Sequence, residues 1–171
     1  MEEHDAESAQ QVGGRNSCPS GSHCAGQASA PTGAIFTTLS DGSEVNLNLF
    51  PSKDAVYLDG GPGIGAPATA AGLDDGTYVF QVTDPPGKTL LADPAKCRQF
   101  TVSGGLITGV VPAGGCQHLT GTDIDHGAVT VQLFPFNDTP NPGGVYKVWV
   151  TKVADFLNGC RHWVFQTDWT S

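Results

Sequence analysis

Apolar and polar residues alternate with a period of two at several places along this chain, the pattern of strands with one face buried. In residues 77–83, Tyr78, Phe80 and Val82 share one face. Asp84-Pro85-Pro86-Gly87 then predicts a reversal, because proline presets φ and glycine tolerates positive φ. A further short run follows at 88–92. Upstream, 35–39 reads as a strand and Ser40-Asp41-Gly42-Ser43 as a hairpin turn. Residues 44–50 alternate, with Val45, Leu47 and Leu49 on one side and Glu44, Asn46 and Asn48 on the other. Residues 55–58 and 128–134 add two strands, the latter aligning Val129, Val131 and Leu133. In 145–153, Tyr146, Val148 and Val150 oppose Lys147, Trp149 and Thr151. With the hairpin between Cys97 and Cys116 this makes about nine strands at sandwich spacings. Only 153–158 competes as helix. The expected fold is all-β: an antiparallel Greek-key β-sandwich, prealbumin-like or immunoglobulin-like.

The pattern divides the chain. Residues 1–32 are polar and rich in Gly and Ser, so a disordered N-terminal segment is expected there. The sandwich domain spans 33–158. Residues 159–171 form an aromatic tail containing Trp163, Phe165 and Trp169. That tail is read as a final strand, as a strand for addition to a neighbouring subunit, or as an uncovered apolar end. Residues 60–71, GGPGIGAPATAA, form a long loop of small residues, suited to recognition or to motion.

Composition narrows the function classes. A length of 171 residues suits one domain with its own core. The 23 Gly and 12 Pro fit many short strands and turns. A net charge of −9, with the eight Lys and Arg scattered, argues against nucleic acid as a partner. No run approaches the roughly 20 apolar residues of a membrane-spanning helix.

Five cysteines are present. If Gly104-Gly105 is the turn of the hairpin, its strands run back together and bring Cys97 and Cys116 within disulfide reach. A disulfide implies an oxidising compartment, so the expected location is secreted or cell-surface. Cys18 and Cys24 are a weaker local pair, which leaves Cys160 over. The first eleven residues lack the basic and apolar regions of a signal peptide. A native start that lies elsewhere is one resolution of that conflict, and a truncated or frameshifted end is one reading of the abrupt aromatic tail.

From Gly33 to Gly159 the chain resembles bacterial exported proteins with a prealbumin-like or Cna-B-like Greek-key sandwich. The residues that carry the likeness are GLDDGTYVFQVTDPPGKTLL, Asp59-Gly60-Gly61-Pro62 and YKVWVT at 146–151. The resemblance implies an exported domain that coats, tethers or spaces others at a cell surface.

Candidate chemistry is sparse. An isopeptide of the Cna-B type needs a Lys, an Asn or Asp and a nearby buried acid; Lys147 or Lys152 and Asn46 or Asn48 are the strand-borne candidates, but Lys147, Asn46 and Asn48 fall on polar faces, so none is expected. The stretch from Thr122 to His126 is dense in Asp and His, but its spacing matches neither a Ca²⁺ loop nor a zinc pair. Cys18, His23 and Cys24 make half of a zinc knuckle without a second half. Gly60-Gly61-Pro62-Gly63-Ile64-Gly65 lacks the Lys-Ser/Thr of a phosphate loop. There is no nucleophile elbow. No catalytic, cofactor or metal residues are assigned. The expectation is a non-enzymatic surface module with a structural or adhesive role, partnered by other cell-surface proteins or glycans. Trp149 itself is expected to pack in the core or between the sheets. The alternative function is a carbohydrate-binding module that uses the 60–71 loop, or Trp149 as an exposed ligand contact.

Overall fold

The computed structural model describes residues 33–141 and 144–157, and the backbone of one further strand at Trp163–Asp168. Residues 1–32, and with them the expected disordered segment, lie outside the described residues, as do Cys18, Cys24 and Cys160. The strands described are β1 (Ile35–Thr38), β2 (Tyr57–Gly60), β3 (Gly76–Thr83), β4 (Gln99–Ser103), β5 (Leu106–Val110), β6 (Thr120–Thr122), β7 (Val129–Gln132), β8 (Val145–Lys152) and β9 (Trp163–Asp168). One short helix, α1 (Val153–Leu157), follows β8. The strands form two antiparallel sheets, ordered β1-β2-β7-β6 and β5-β4-β3-β8-β9.

One apolar core lies between the sheets. β3 and β8 supply Tyr78, Phe80, Val82, Tyr146, Val148 and Val150, while the opposite sheet supplies Ile35, Leu58, Val131 and Leu133. Register locks the first set, since Phe80 pairs with Val150 and Val82 with Val148. Each such side chain stabilises the fold by about 1.5–3 kcal/mol through burial.

The other face of the five-stranded sheet is closed as well. Val79, Gln81, Thr83 and Thr151 are buried there beside Trp149. Phe156 of α1 stacks on Trp149 with ring centroids 6.0 Å apart. Alternation in β3 and β8 had predicted strands open to solvent on one side. It reports side-chain polarity and is blind to a helix folding back over the polar face.

Two expected strands are not strands. Residues 44–50 form a loop in which Val45 and Leu49 are exposed, Leu47 packs against the core and Phe50 is buried in it. Asn46 has φ 56, which breaks an extended run, and left-handed backbone suits Asn better than most residues. Leu47 is tied to the edge of β1 by its own N–H donating to the Thr37 carbonyl and by Thr37 Oγ1 donating to the Leu47 carbonyl. Residues 88–92 make isolated bridges only, Leu90 to Thr83 and Ala92 to Phe136. Their first amides are diverted, because the Asp84 carboxylate accepts from the N–H groups of Lys88 and Thr89. β6, by contrast, forms at Thr120–Thr122, where no strand was expected. β9 pairs with β8 of the same chain.

The β4–β5 turn is at Gly104-Gly105, with φ of 61° and 83°, as a tight hairpin of positive-φ residues requires. A Cβ on Gly72 would stand 2.1 Å from the Gly105 carbonyl oxygen, so only glycine lets the 61–75 loop close onto that turn.

Candidate functional site

The hairpin brings Cys97 and Cys116 to disulfide distance, with Cα atoms 5.3 Å apart. The residue after Cys97 is Arg98, which is fully buried. Its position follows from the short 3-10 turn Ala95–Cys97, which swings the chain from the edge of β3 into β4. Arg98 Nε donates to the Phe80 carbonyl at 3.2 Å, Nη2 to the Leu133 carbonyl at 2.6 Å and Nη1 to the Pro135 carbonyl at 3.0 Å. Nη1 also reaches Asp93 Oδ1 at 3.2 Å, and the guanidinium lies 4.6 Å from the centre of the Phe80 ring. Burial lowers the guanidinium to about 10, and Asp93 opposes the shift. His118, two residues beyond Cys116, lies beside it. One bridge, one buried cation and one buried imidazole thus join β3, β4 and the end of β7. Every one of these polar contacts is spent inside the protein.

A second polar cluster lies at the end of the sandwich where β2 leaves for β3. Asp59, the third residue of β2, is 2 % exposed and accepts from the Gly60 N–H. Its carboxyl is pushed up to about 7 by burial; the Gly60 bond and the His126 charge act against that shift, and the Asp123 charge adds to it. Asp123 is also buried and accepts from the N–H groups of Asp125 and His126, closing the β6–β7 turn on itself. Asp125 Oδ2 accepts from the N–H of Gly65 at 2.8 Å. The Asp and His singled out between Thr122 and His126 are therefore brought together. Among the described residues, however, no group of three such side chains is arranged to hold a metal.

Three loops meet over this cluster. The N–H of Ile124 donates to the Asp41 carbonyl, Gly42 packs against Asp123, and Gly63 packs against Val45. Val45, Ile64 and Ile124 are exposed on these loops. Segments 33–50, 59–76 and 120–128 contain seven Asp or Glu residues and no Lys or Arg. Lys152 of β8 reaches this end through Asp74. Elsewhere, Leu91, Asp93, Phe134 and Phe136 line a shallow groove of about 470 Å³ above Arg98.

Trp149 is 1 % exposed. The aromatic platform considered for it is therefore absent from the surface, and the residue belongs to the packing between β8 and α1. Lys147, Asn46 and Asn48 are not brought together with a buried acid, since both Asn residues sit in the exposed 44–50 loop. Asp59 and Arg98 were not singled out from the sequence, and neither was the burial that they share with His118 and Asp123. A partial signal existed, because Arg98 follows Cys97 directly and His118 stands two residues from Cys116.

Comparison of the chain with known families, curated proteins and solved structures gave no match.

Proposed function

We propose that this chain is a non-enzymatic extracellular β-sandwich module, secreted or held at a cell surface, with a structural or adhesive role. The observation that carries the reading is the Cys97–Cys116 pair, which latches the β4–β5 hairpin beside the buried Arg98. Such a bond persists in oxidising surroundings and is rare in reducing ones. The non-enzymatic part is supported by the Arg98 cluster, whose polar groups are occupied by contacts within the protein.

We also read the sandwich as Greek-key and immunoglobulin-like rather than prealbumin-like. The support is the strand order. β1-β2-β7-β6 facing β5-β4-β3-β8-β9 is the order A-B-E-D facing C″-C′-C-F-G of a variable-type immunoglobulin domain. In that arrangement the β2–β3 loop and the β4–β5 turn share one end with the β6–β7 turn. That end carries Val45, Ile64 and Ile124, and it is where an adhesive contact with a surface protein or a glycan would form. A carbohydrate-binding role would rest on the same loops, without Trp149.

Two measurements test the reading. Mass spectrometry of the protein in its native cells, alkylated before lysis, should find the Cys97–Cys116 linked peptide in the extracellular fraction. A reduced pair in the cytosol would overturn the proposal. An immobilised domain should bind members of a panel of glycans and surface proteins, and Ile64→Asp with Ile124→Asp should remove that binding. Retention only of glycans would select the carbohydrate-binding alternative.

A further inference from the structure

β3 runs the length of the sandwich, so Gly76 and Thr83 mark its opposite ends. At the Gly76 end stand the loops that expose Val45, Ile64 and Ile124. These side chains lie on segments tied to one another: Gly63 packs on Val45, Gly65 is held by Asp125, and Ile124 is bonded to Asp41. Asp41, Asp75 and Asp125 are exposed on the same loops, and Glu44 is exposed beside Val45. Segments 33–50, 59–76 and 120–128 contain no Lys or Arg. Lys152 reaches this end from β8 and is paired with Asp74 at 3.2 Å. The Phe, Tyr and Trp content of those segments is Phe36 and Phe50, both buried, so the loops offer no ring for a sugar to stack on.

The Thr83 end is built differently. The N–H of Leu91 donates to the Val82 carbonyl and the N–H of Asn137 to the Leu91 carbonyl, so the stretches after β3 and after β7 close this end together. The groove of about 470 Å³ lined by Leu91, Asp93, Phe134 and Phe136 lies here. Phe134 and Leu90 are exposed at this end. Its acids are engaged locally. Asp93 is held by Arg98, Asp138 by Lys53, Asp84 by the N–H groups of Lys88 and Thr89, and Asp54 by the Ser52 hydroxyl. The side chains of Lys88 and Lys96 are exposed and make no ion pair among the described residues. One end is thus acidic with protruding aliphatic side chains, and the other is recessed, aromatic and edged by lysine.

We propose that these two ends dock on one another between copies of this chain, head to tail. Ile64 and Ile124 of one copy enter the groove over Phe134 and Phe136 of the next, and the exposed acids around them face Lys88 and Lys96. The inference rests on the adhesive reading of the loop end and names a second copy as its partner. An aliphatic side chain seated in an apolar recess is the kind of contact that carries affinity in an interface. The charges set orientation, because loop end on loop end puts acid against acid and groove end on groove end puts lysine against lysine. A contact between unlike surfaces leaves one of each free on every pair, so it repeats into a row instead of closing. A row of domains fits the structural role at a cell surface.

Sedimentation equilibrium of the whole chain tests this. The wild type should form dimers and longer species with a Kd on the order of 100 μM. Raising NaCl from about 20 mM to about 0.5 M should weaken the association by about fivefold or more. Ile64→Asp with Ile124→Asp blocks one end, and Leu90→Asp with Lys96→Glu blocks the other. Each double variant alone should be monomeric, and their equimolar mixture should give a dimer and nothing larger. A monomeric wild type, association indifferent to salt, association of either variant alone, or a mixture that stays monomeric would each overturn the head-to-tail contact. The salt series uses the wild type, so failure of a variant to fold leaves the test intact. A monomeric chain that still binds other surface molecules through Ile64 and Ile124 overturns this inference alone. A reduced Cys97–Cys116 pair in the cytosol overturns the reading beneath it.

Discussion

Arg98 Nη1 lies 3.5 Å from His118 Nε2, between the two sheets and next to the Cys97–Cys116 bridge. On the other side of the ring, His118 Nδ1 is 2.9 Å from the Gln132 carbonyl oxygen. A carbonyl can only accept and a guanidinium can only donate, so the ring is neutral with its proton on Nδ1. Burial pushes its titration down, and the neighbouring Arg98 charge pushes it further.

Arg98 is expected to be the most sensitive polar position in the fold. Arg98→Lys keeps the charge but loses the planar fork that serves three carbonyls and Asp93 at once. Removing one partner of a buried charged set typically costs about 3–5 kcal/mol. Urea unfolding should show a loss of that order for Arg98→Ala and most of it for Arg98→Lys. A change under about 1 kcal/mol in both would show that the guanidinium contacts do not hold the sheets together.

Reduction of the Cys97–Cys116 bond should lower stability by about 3 kcal/mol, the typical effect for a loop closed over 19 residues. For a domain of this size that is on the order of a 10 °C fall in melting temperature. Calorimetry with and without a reductant, and on the Cys97→Ser, Cys116→Ser double variant, measures it. An unchanged transition in all three would remove the bond as a structural element.

Trp149 makes a complementary prediction at the other face of β8. Its fluorescence should be blue-shifted and poorly quenched by acrylamide, because the ring is buried under Phe156. Its signal is read against a Trp163→Phe, Trp169→Phe background. Trp149→Ala should cost about 3–5 kcal/mol, the usual range for emptying an aromatic core site. Strong quenching in the folded state would mean that the face is open and would restore Trp149 as a ligand contact.

The legible part of the fold was the part governed by period-two patterning. Tyr78, Phe80 and Val82, with Tyr146, Val148 and Val150, announce β3 and β8 because both strands turn apolar side chains to one core. The Gly104-Gly105 turn and the cysteines flanking it were legible for the same local reason. Residues 44–50 carry as clean an alternation, yet Asn46 turns the backbone, and of Val45, Leu47 and Leu49 only Leu47 docks, ahead of the buried Phe50. β6 has no apolar signature at all, being Thr-Gly-Thr, and exists because β7 offers it a ladder. The candidate site was legible only as a dense polar stretch from Thr122 to His126. Asp59 lies more than sixty positions away in sequence, and its approach depends on sheet order that local patterning does not carry.

Asp59 gives the clearest pH prediction. An aspartate whose folded-state value is raised from the model-peptide range to about 7 holds its proton more tightly folded than unfolded. Its contribution to stability is complete below about pH 4 and is lost as the pH climbs through about 7. His118 acts in the opposite sense. Its depressed folded-state titration means that stability is lost as the pH falls below about 6.5, where the unfolded chain takes up a proton. The two effects overlap between about pH 4 and 6.5, so the wild-type curve alone does not separate them. The comparison with Asp59→Asn does, because that variant keeps His118 and cannot ionise at position 59. The variant should gain on the wild type as the pH rises from about 4 to 7, with a slope of up to about 1.4 kcal/mol per pH unit, and the difference should be flat above that window. Urea unfolding at a series of pH values reads this directly. A difference that does not vary with pH would show that Asp59 ionises as freely in the folded chain as in the unfolded one.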